Sequence, residues 1–190
     1  MTMKRKVGYG IIGAGMIARF HAEALRQLER AELVAVFDSR PEAARKIAEE
    51  FPCRVYTDLD AFLAAPDVQA VTIATPSGTH GELAIAAARA GKHILCEKPL
   101  EITVEKVDAI LRACAENKVL LAPVFQTRFD PEVQLIKSAV DAGRLGKIVL
   151  ASLQMHWFRE PSYYAGSAWR GTWAMDGGGA LMNQGFFVGL

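Results

Sequence analysis

The sequence predicts an α/β fold, a Rossmann-type parallel sheet followed by the beginning of an α+β open-sheet domain. Three observations carry this. Short apolar runs alternate with amphipathic helical stretches up to about residue 124. A glycine-rich turn, Gly13-Ala14-Gly15-Met16-Ile17-Ala18, joins the first strand to the first helix. Beyond residue 125 the pattern changes to one helix and one long alternating strand.

Taken in order, Val7–Ile12 reads as the first strand, and Met16–Leu28 as a helix with Ile17, Phe20, Ala24, Leu25 and Leu28 on one face. Leu33–Phe37 is a continuous apolar run, the mark of a strand buried on both faces. Glu42–Glu50 is helical, with Ser39 as its cap and Pro41 in its first turn. Arg54–Tyr56 and Leu59–Ala64 make a short strand and a short helix. Ala70–Ala74 is a strand, Gly78–Ala90 a helix closed by Gly91, and Ile94–Cys96 a strand. Thr103 caps a helix running to about Asn117, and Val119–Ala122 ends the series. Repeated βα units with short connections imply a parallel sheet covered on both faces.

A domain boundary is expected near Pro123–Phe125, dividing residues 1–124 from 125–190. Asp130-Pro131-Glu132 is a helix start, with Asp as cap and Pro at the first helical position, and Gly143 ends that helix. In Lys147–Trp157 the residues Val149, Ala151, Leu153, Met155 and Trp157 fall on one face, which predicts a strand with one exposed side. Residues 159–180 are rich in Gly, Ser, Tyr and Trp and read as loop over a site. Trp157, Trp169 and Trp173 are expected to be partly core, and His21 and His93 structural.

Composition narrows the function. Of 190 residues, 51% are hydrophobic and 23% charged, and the net charge is +1, so no strong field draws nucleic acid or an anionic membrane. The three cysteines lie far apart and form no cluster with histidine, which argues against a disulfide framework and against a metal site. The N-terminal Lys4-Arg5-Lys6 precedes a stretch too broken by glycine for a signal peptide. A cytoplasmic setting is expected.

The glycine-rich turn has a specific chemistry. Gly13 permits the tight turn, Gly15 lets backbone approach a pyrophosphate, and the small Ala18 lets helix pack close to strand. The amides around Met16 and Ile17 then face the phosphates, where the helix dipole favours negative charge. Asp38 stands 20 residues past Ala18, at the end of the next strand, placed to accept hydrogen bonds from ribose hydroxyls. A carboxylate there repels a 2′-phosphate, so NAD is expected rather than NADP, although the neighbouring Arg40 offers that phosphate a partner. Ser39 and Arg40 complete this end of the expected site.

Further motifs follow in order: Thr75-Pro76 with His80, Gly91-Lys92-His93, Glu97-Lys98-Pro99, Arg128-Phe129 with Pro131, Trp169-Arg170-Gly171, and the run Gly177 to Gly185. Together they resemble the glucose–fructose oxidoreductase / inositol dehydrogenase / rhizopine catabolism (Gfo/Idh/MocA) family, over nearly the whole chain. The resemblance implies an active site between a Rossmann domain and an open-sheet domain. It also implies hydride transfer from a secondary hydroxyl of a sugar, cyclitol or nucleotide-linked sugar. By motif, Lys98 would stand beside the substrate hydroxyl and the nicotinamide, and Glu97 near the nicotinamide ribose. Thr75, Pro76 and His80 would line the loop under the cofactor; for His80, a plain backbone-bonding role in the first helical turn fits equally. Arg128, Trp169 and Arg170 would lie on the substrate side, and Asn183 where many members carry Asp. A desolvated lysine beside a cationic nicotinamide has its pKa lowered and can accept the hydroxyl proton.

The sequence departs from the family near its end. The family's His position is Phe187 and its following Asp position is Leu190. Family members are longer, so only the opening of the second domain is expected here, with the 147–157 strand short of partners and a homo-oligomer through its sheet as one way to cover it. Two readings stand, a dehydrogenase and a catalytically silent NAD-binding protein. An interaction module pairing through the strand edge is a third; no basic stripe supports nucleic-acid binding.

Overall fold

The computed structural model describes residues 6–185. Six strands form one parallel sheet: β1 (Val7–Ile12), β2 (Ala31–Phe37), β3 (Arg54–Tyr56), β4 (Ala70–Ile73), β5 (His93–Cys96) and β6 (Leu121–Pro123). Their spatial order is β3-β2-β1-β4-β5-β6. The chain reverses its direction of winding between β1 and β4, which opens a crevice at the carboxyl ends of those strands.

The helices are α1 (Met16–Arg26), α2 (Pro41–Glu50), α3 (Leu59–Ala64), α4 (His80–Arg89) and α5 (Val104–Glu116), followed by α6 (Pro131–Asp141), α7 (Pro161–Ala165) and α8 (Trp173–Asp176). Thr103 caps α5 as expected, its hydroxyl accepting from the Lys106 amide. Alternation along β1 splits the core: Ile11 faces the α1/α2 side, and Ile12 the α3/α4/α5 side. On that second side Ala84, Ala87 and Ala88 let α4 lie close to the sheet. Phe62 of α3 fills the space over Gly10, where a Cβ would stand 2.4 Å from its ring.

Several expectations are corrected. The buried face of α1 is Ala18, Ala22 and Leu25, while Phe20 is 65% exposed and Ile17 and Leu28 also lie outside. Close approach to the sheet selects the small residues, so the larger apolar side chains take the outer face. Ser39 does not cap α2. Arg40 is the N-cap residue, and the Asp38 carboxylate accepts from the Arg40 amide in its place. The expected helix from Gly78 begins instead with a 3₁₀ turn, Ser77–Thr79, before α4. The region read as loop, residues 159–180, contains α7 and α8, and a π-helical turn, Ala180–Gln184, follows from its last residue.

The expected strand Lys147–Trp157 makes no ladder among the described residues. Alternation encodes a face but not a neighbour, and an extended segment becomes a strand only through hydrogen bonds to one. Val149 is 90% exposed there. Trp173 lies largely in solvent rather than partly in a core, while Trp157 is half exposed. Among the described residues, no helix is long and apolar enough to cross a membrane, and no cluster of ligating side chains could hold a metal.

Candidate active site

The carboxyl ends of the strands converge on a cavity of about 870 Å³, in the size range of small-molecule sites. Gly13, Gly15, Met16 and Ile17 line it after β1, and Asp38, Ser39 and Arg40 after β2. Thr75 and Pro76 line it after β4, and Glu97 and Lys98 after β5. The opposite wall is Arg159, Tyr163, Trp169, Arg170, Asn183 and Gln184.

The nucleotide end fits a dinucleotide. Gly13 has φ +94°, and a Cβ there would stand 2.7 Å from the Thr75 methyl and 2.8 Å from the Ala74 carbonyl oxygen. At Gly15 a Cβ would meet nothing within 4 Å, so the glycine keeps space open for a ligand rather than relieving a clash in the protein. No side chain caps α1 at Gly15 and no acid sits in its first turn, which leaves the helix start available to an anion. Asp38 is buried. Its Oδ2 accepts from the Ala14 amide at 2.7 Å and its Oδ1 from the Arg40 amide at 2.8 Å, which ties the tip of β2 to the glycine turn. The Arg40 side chain is mostly exposed, with Nε 3.4 Å from Asp38 Oδ1.

Lys98 follows β5, joined to Pro99 by a cis peptide bond. Its Nζ donates to the Asn183 backbone oxygen at 2.5 Å and lies 3.3 Å from Asn183 Oδ1. Burial pushes its pKa below the ordinary lysine value; Glu97 and Asp176 act against that shift, and Arg159 acts with it. Glu97 accepts from the Lys98 amide at 3.2 Å and meets His21 Nε2 at 2.8 Å.

The structure separates two of the expected site residues from the rest. His80 does not line the cavity. Its ring is buried beneath the floor, with Nδ1 2.8 Å from the Pro99 oxygen and Nε2 2.9 Å from the Thr75 oxygen, so it braces the two loops that bear Thr75 and Lys98. Arg128 lies outside the cavity lining, its guanidinium 5.8 Å from the Phe129 ring. Phe187 and Leu190 fall outside the described residues.

Sequence reasoning missed Arg159, Tyr163, His21 and Asp176. The Arg159 guanidinium lies 5.4 Å from the Tyr163 ring centre and that of Arg170 4.5 Å. Neither arginine is in an ion pair among the described residues, and Arg170 Nε is buried without a hydrogen-bond partner. Asp176 had one signal, its place directly before three consecutive glycines.

Residues 7–125 match the family model described as oxidoreductase family, NAD-binding Rossmann fold, and residues 133–188 match the GFO/IDH/MocA C-terminal domain. The chain is 42% identical to inositol 2-dehydrogenase of Rhizobium meliloti (strain 1021) over 156 residues, covering 82% of this chain and 46% of the relative. It is 38% identical to UDP-N-acetylglucosamine 3-dehydrogenase of Acidithiobacillus ferrooxidans, covering 68% and 40%. The crystal structure of the WlbA dehydrogenase from Bordetella pertussis, in complex with NADH and UDP-GlcNAcA, superposes with a TM-score of 0.92 at 38% identity, over 97% of this chain and 54% of that one. The chain thus spans less than half the length of these two curated relatives. With its Rossmann order, its uncapped glycine turn and both family models matched, the chain belongs to the GFO/IDH/MocA family of oxidoreductases and carries that family's NAD-binding Rossmann fold.

Proposed function

We propose that this protein transfers hydride between a secondary hydroxyl of a sugar or cyclitol, free or nucleotide-linked, and NAD. Residues 1–124 hold the dinucleotide and residues 125–190 supply the substrate side. The observation that carries the reading is Lys98, a half-buried amine with its pKa lowered by burial, in the same cavity as the Gly13–Ile17 turn and Asp38. The first-turn amides of α1 bind the pyrophosphate, and Asp38 receives the ribose hydroxyls. Thr75, Pro76 and Glu97 hold the nicotinamide end. Bound nicotinamide supplies the hydride acceptor. Lys98 Nζ, in its neutral form, takes the proton of the substrate hydroxyl, and Asn183 keeps that nitrogen at the cavity wall.

Trp169 and the arginine pair over Tyr163 form the substrate wall. Two guanidinium groups without a carboxylate suit a substrate bearing an anionic group, such as the diphosphate of a nucleotide-linked sugar. The UDP-GlcNAcA bound to the Bordetella relative points the same way. The exposed row at Val149, Leu153 and Trp157 supports a homo-oligomer, with a second copy of the chain as partner.

The test is titration of the full chain with NADH, followed by NAD reduction against a panel of sugars, inositols and nucleotide sugars. Lys98→Ala is expected to lower turnover by about 10²- to 10⁴-fold while NADH binding is kept. Turnover that survives in Lys98→Ala sinks the assignment. Phe187 at the family's His position favours a second reading, cofactor binding without turnover, because a phenyl ring neither gives nor takes a proton. NADH binding with no reduction across the whole panel selects it.

A further inference from the structure

Asp176 is the most deeply buried carboxylate near the cavity, at 1% exposure, yet it does not line the cavity. It ends α8 and immediately precedes the turn formed by Gly177, Gly178 and Gly179. A Cβ at Gly178, with φ +102°, would meet the Trp173 ring at 2.5 Å, so only glycine lets the chain double back here. The turn feeds the π-helical segment in which Asn183 sits, and places Asn183 beside Asp176.

Both oxygens of Asp176 are engaged. Oδ2 accepts from the Gly171 amide at 2.7 Å, and Oδ1 accepts from Asn183 Nδ2 at 2.5 Å. A carboxylate only accepts hydrogen bonds, so the nitrogen end of the Asn183 carboxamide must be the end that faces Asp176. That leaves Oδ1 turned to Lys98 Nζ, at 3.3 Å, and to Gln184 Nε2, at 2.9 Å. The Asn183 backbone oxygen, in the same π-helical turn, takes the shorter bond from Lys98.

We propose that Asp176 is a positioning residue: by fixing the Asn183 carboxamide with its oxygen outward, it sets where the Lys98 amine stands and how readily that amine holds its proton. The proposal rests on the reading of Lys98 as the proton acceptor for its catalytic meaning, but not for its geometry. Lys98 is faced by Glu97 beside it, by Asp176 behind Asn183 and by Arg159 from the opposite wall. The two carboxylates favour the ammonium form, and Arg159 and burial disfavour it.

Replacing Asp176 with asparagine keeps its shape but reverses the logic of the bridge. The Gly171 amide still needs an oxygen, so the new amide turns its nitrogen to Asn183. Asn183 must then flip, presenting its own nitrogen to Lys98. Combining Asp176→Asn with Asn183→Asp restores an acceptor facing Lys98, keeps both hydrogen bonds and moves the carboxylate next to the amine.

The experiment follows the Lys98 side chain by NMR in ¹³C-lysine-labelled full chain, the signal being assigned by its loss in Lys98→Arg. Asp176→Asn is expected to lower the Lys98 titration midpoint by about 1 pH unit, and the double exchange to raise it above wild type. In active protein the acid limb of kcat/KM for the sugar moves with the midpoint, and Asp176→Asn lowers kcat by up to about 10²-fold with NADH affinity unchanged. An Asp176 acting through its charge alone would shift the midpoint equally in an Asn183→Ala background, whereas a shift carried by the Asp176–Asn183 bridge shrinks there. Should Asp176→Asn not fold, Asn183→Ala, which keeps the Asp176 charge and breaks the bridge, decides by lowering the midpoint. A Lys98 midpoint equal to wild type in any folded member overturns the proposal. Midpoints that move as stated in a protein that never turns over uphold the proposal and defeat the dehydrogenase reading.

Discussion

The sheet with its five covering helices and the segment after β6 are held together by different means. In the first, apolar side chains interlock on both faces of β1 and β4: Phe62, Ile11, Ile12, Ile73 and Ile110 are fully buried. In the second, no residue of α6 or α7 is buried, and among the described residues the buried side chains are polar, Asp176 and Asn183. The first region carries its own hydrophobic driving force. The second is ordered about the cavity by directed bonds: Asp176 accepts from Gly171 and Asn183, Lys98 donates to Asn183, and Arg159 donates to Gln184. The Rossmann region is therefore held by its apolar core, and the segment after β6 is a polar wall whose order depends on a few contacts.

The largest expected effect breaks the first region. Phe62→Ala should cost about 3–5 kcal/mol, read by urea unfolding, because the ring packs on Gly10, Phe37 and Tyr56. Trp173→Ala, at a site 82% exposed, should stay within about 0.5 kcal/mol; an equal cost at both sites would erase the contrast. Next, Asp38→Ala should weaken NADH binding about 10- to 100-fold, since hydrogen bonds to a charged group contribute about 1.5–3 kcal/mol. Calorimetric titration measures it, and an unchanged affinity would remove Asp38 from the site. Gly13→Ala introduces a side chain at φ +94° against Thr75 and should cost about 1–3 kcal/mol of stability, seen as a lowered melting temperature. A Gly13→Ala protein that melts with wild type would show that the turn has room to give.

The smallest effect concerns Lys98 and pH. Its folded pKa lies below its unfolded value, so at neutral pH the unfolded chain binds the proton more tightly, and stability rises with pH through the folded pKa. Lys98→Met should therefore be more stable than wild type at neutral pH, with the gain shrinking as pH climbs toward the ordinary lysine value. Thermal melts across that range check the sign. Activity should likewise rise with pH through the Lys98 pKa, since only the neutral amine accepts a proton.

Much of the first region was legible in sequence because its signals are local. Strand–turn–helix order, Gly13 and Gly15, Asp38 at the end of β2 and Lys98 after β5 are each announced by neighbours in the chain. What was illegible depends on distant partners. His21 reaches Glu97 across 76 residues and Lys98 reaches Asn183 across 85, and no spacing rule encodes either meeting. The face of α1 was misjudged because hydrophobicity alone favours Phe20, whereas close packing on β1 favours Ala18 and Ala22. His80 was legible as either a cofactor contact or a backbone brace, and only its two carbonyl neighbours decide for the brace. The 147–157 row was visible as a pattern, but a pattern carries no information about whether a neighbouring strand is at hand.

The bond from the Ala14 amide to Asp38 has a kinetic meaning. It ties the phosphate-binding loop to the tip of β2, and a loop fixed in this way loses little entropy on association. Stopped-flow mixing with NADH is therefore expected to give a single binding phase, with differences in residence time set by the escape rate.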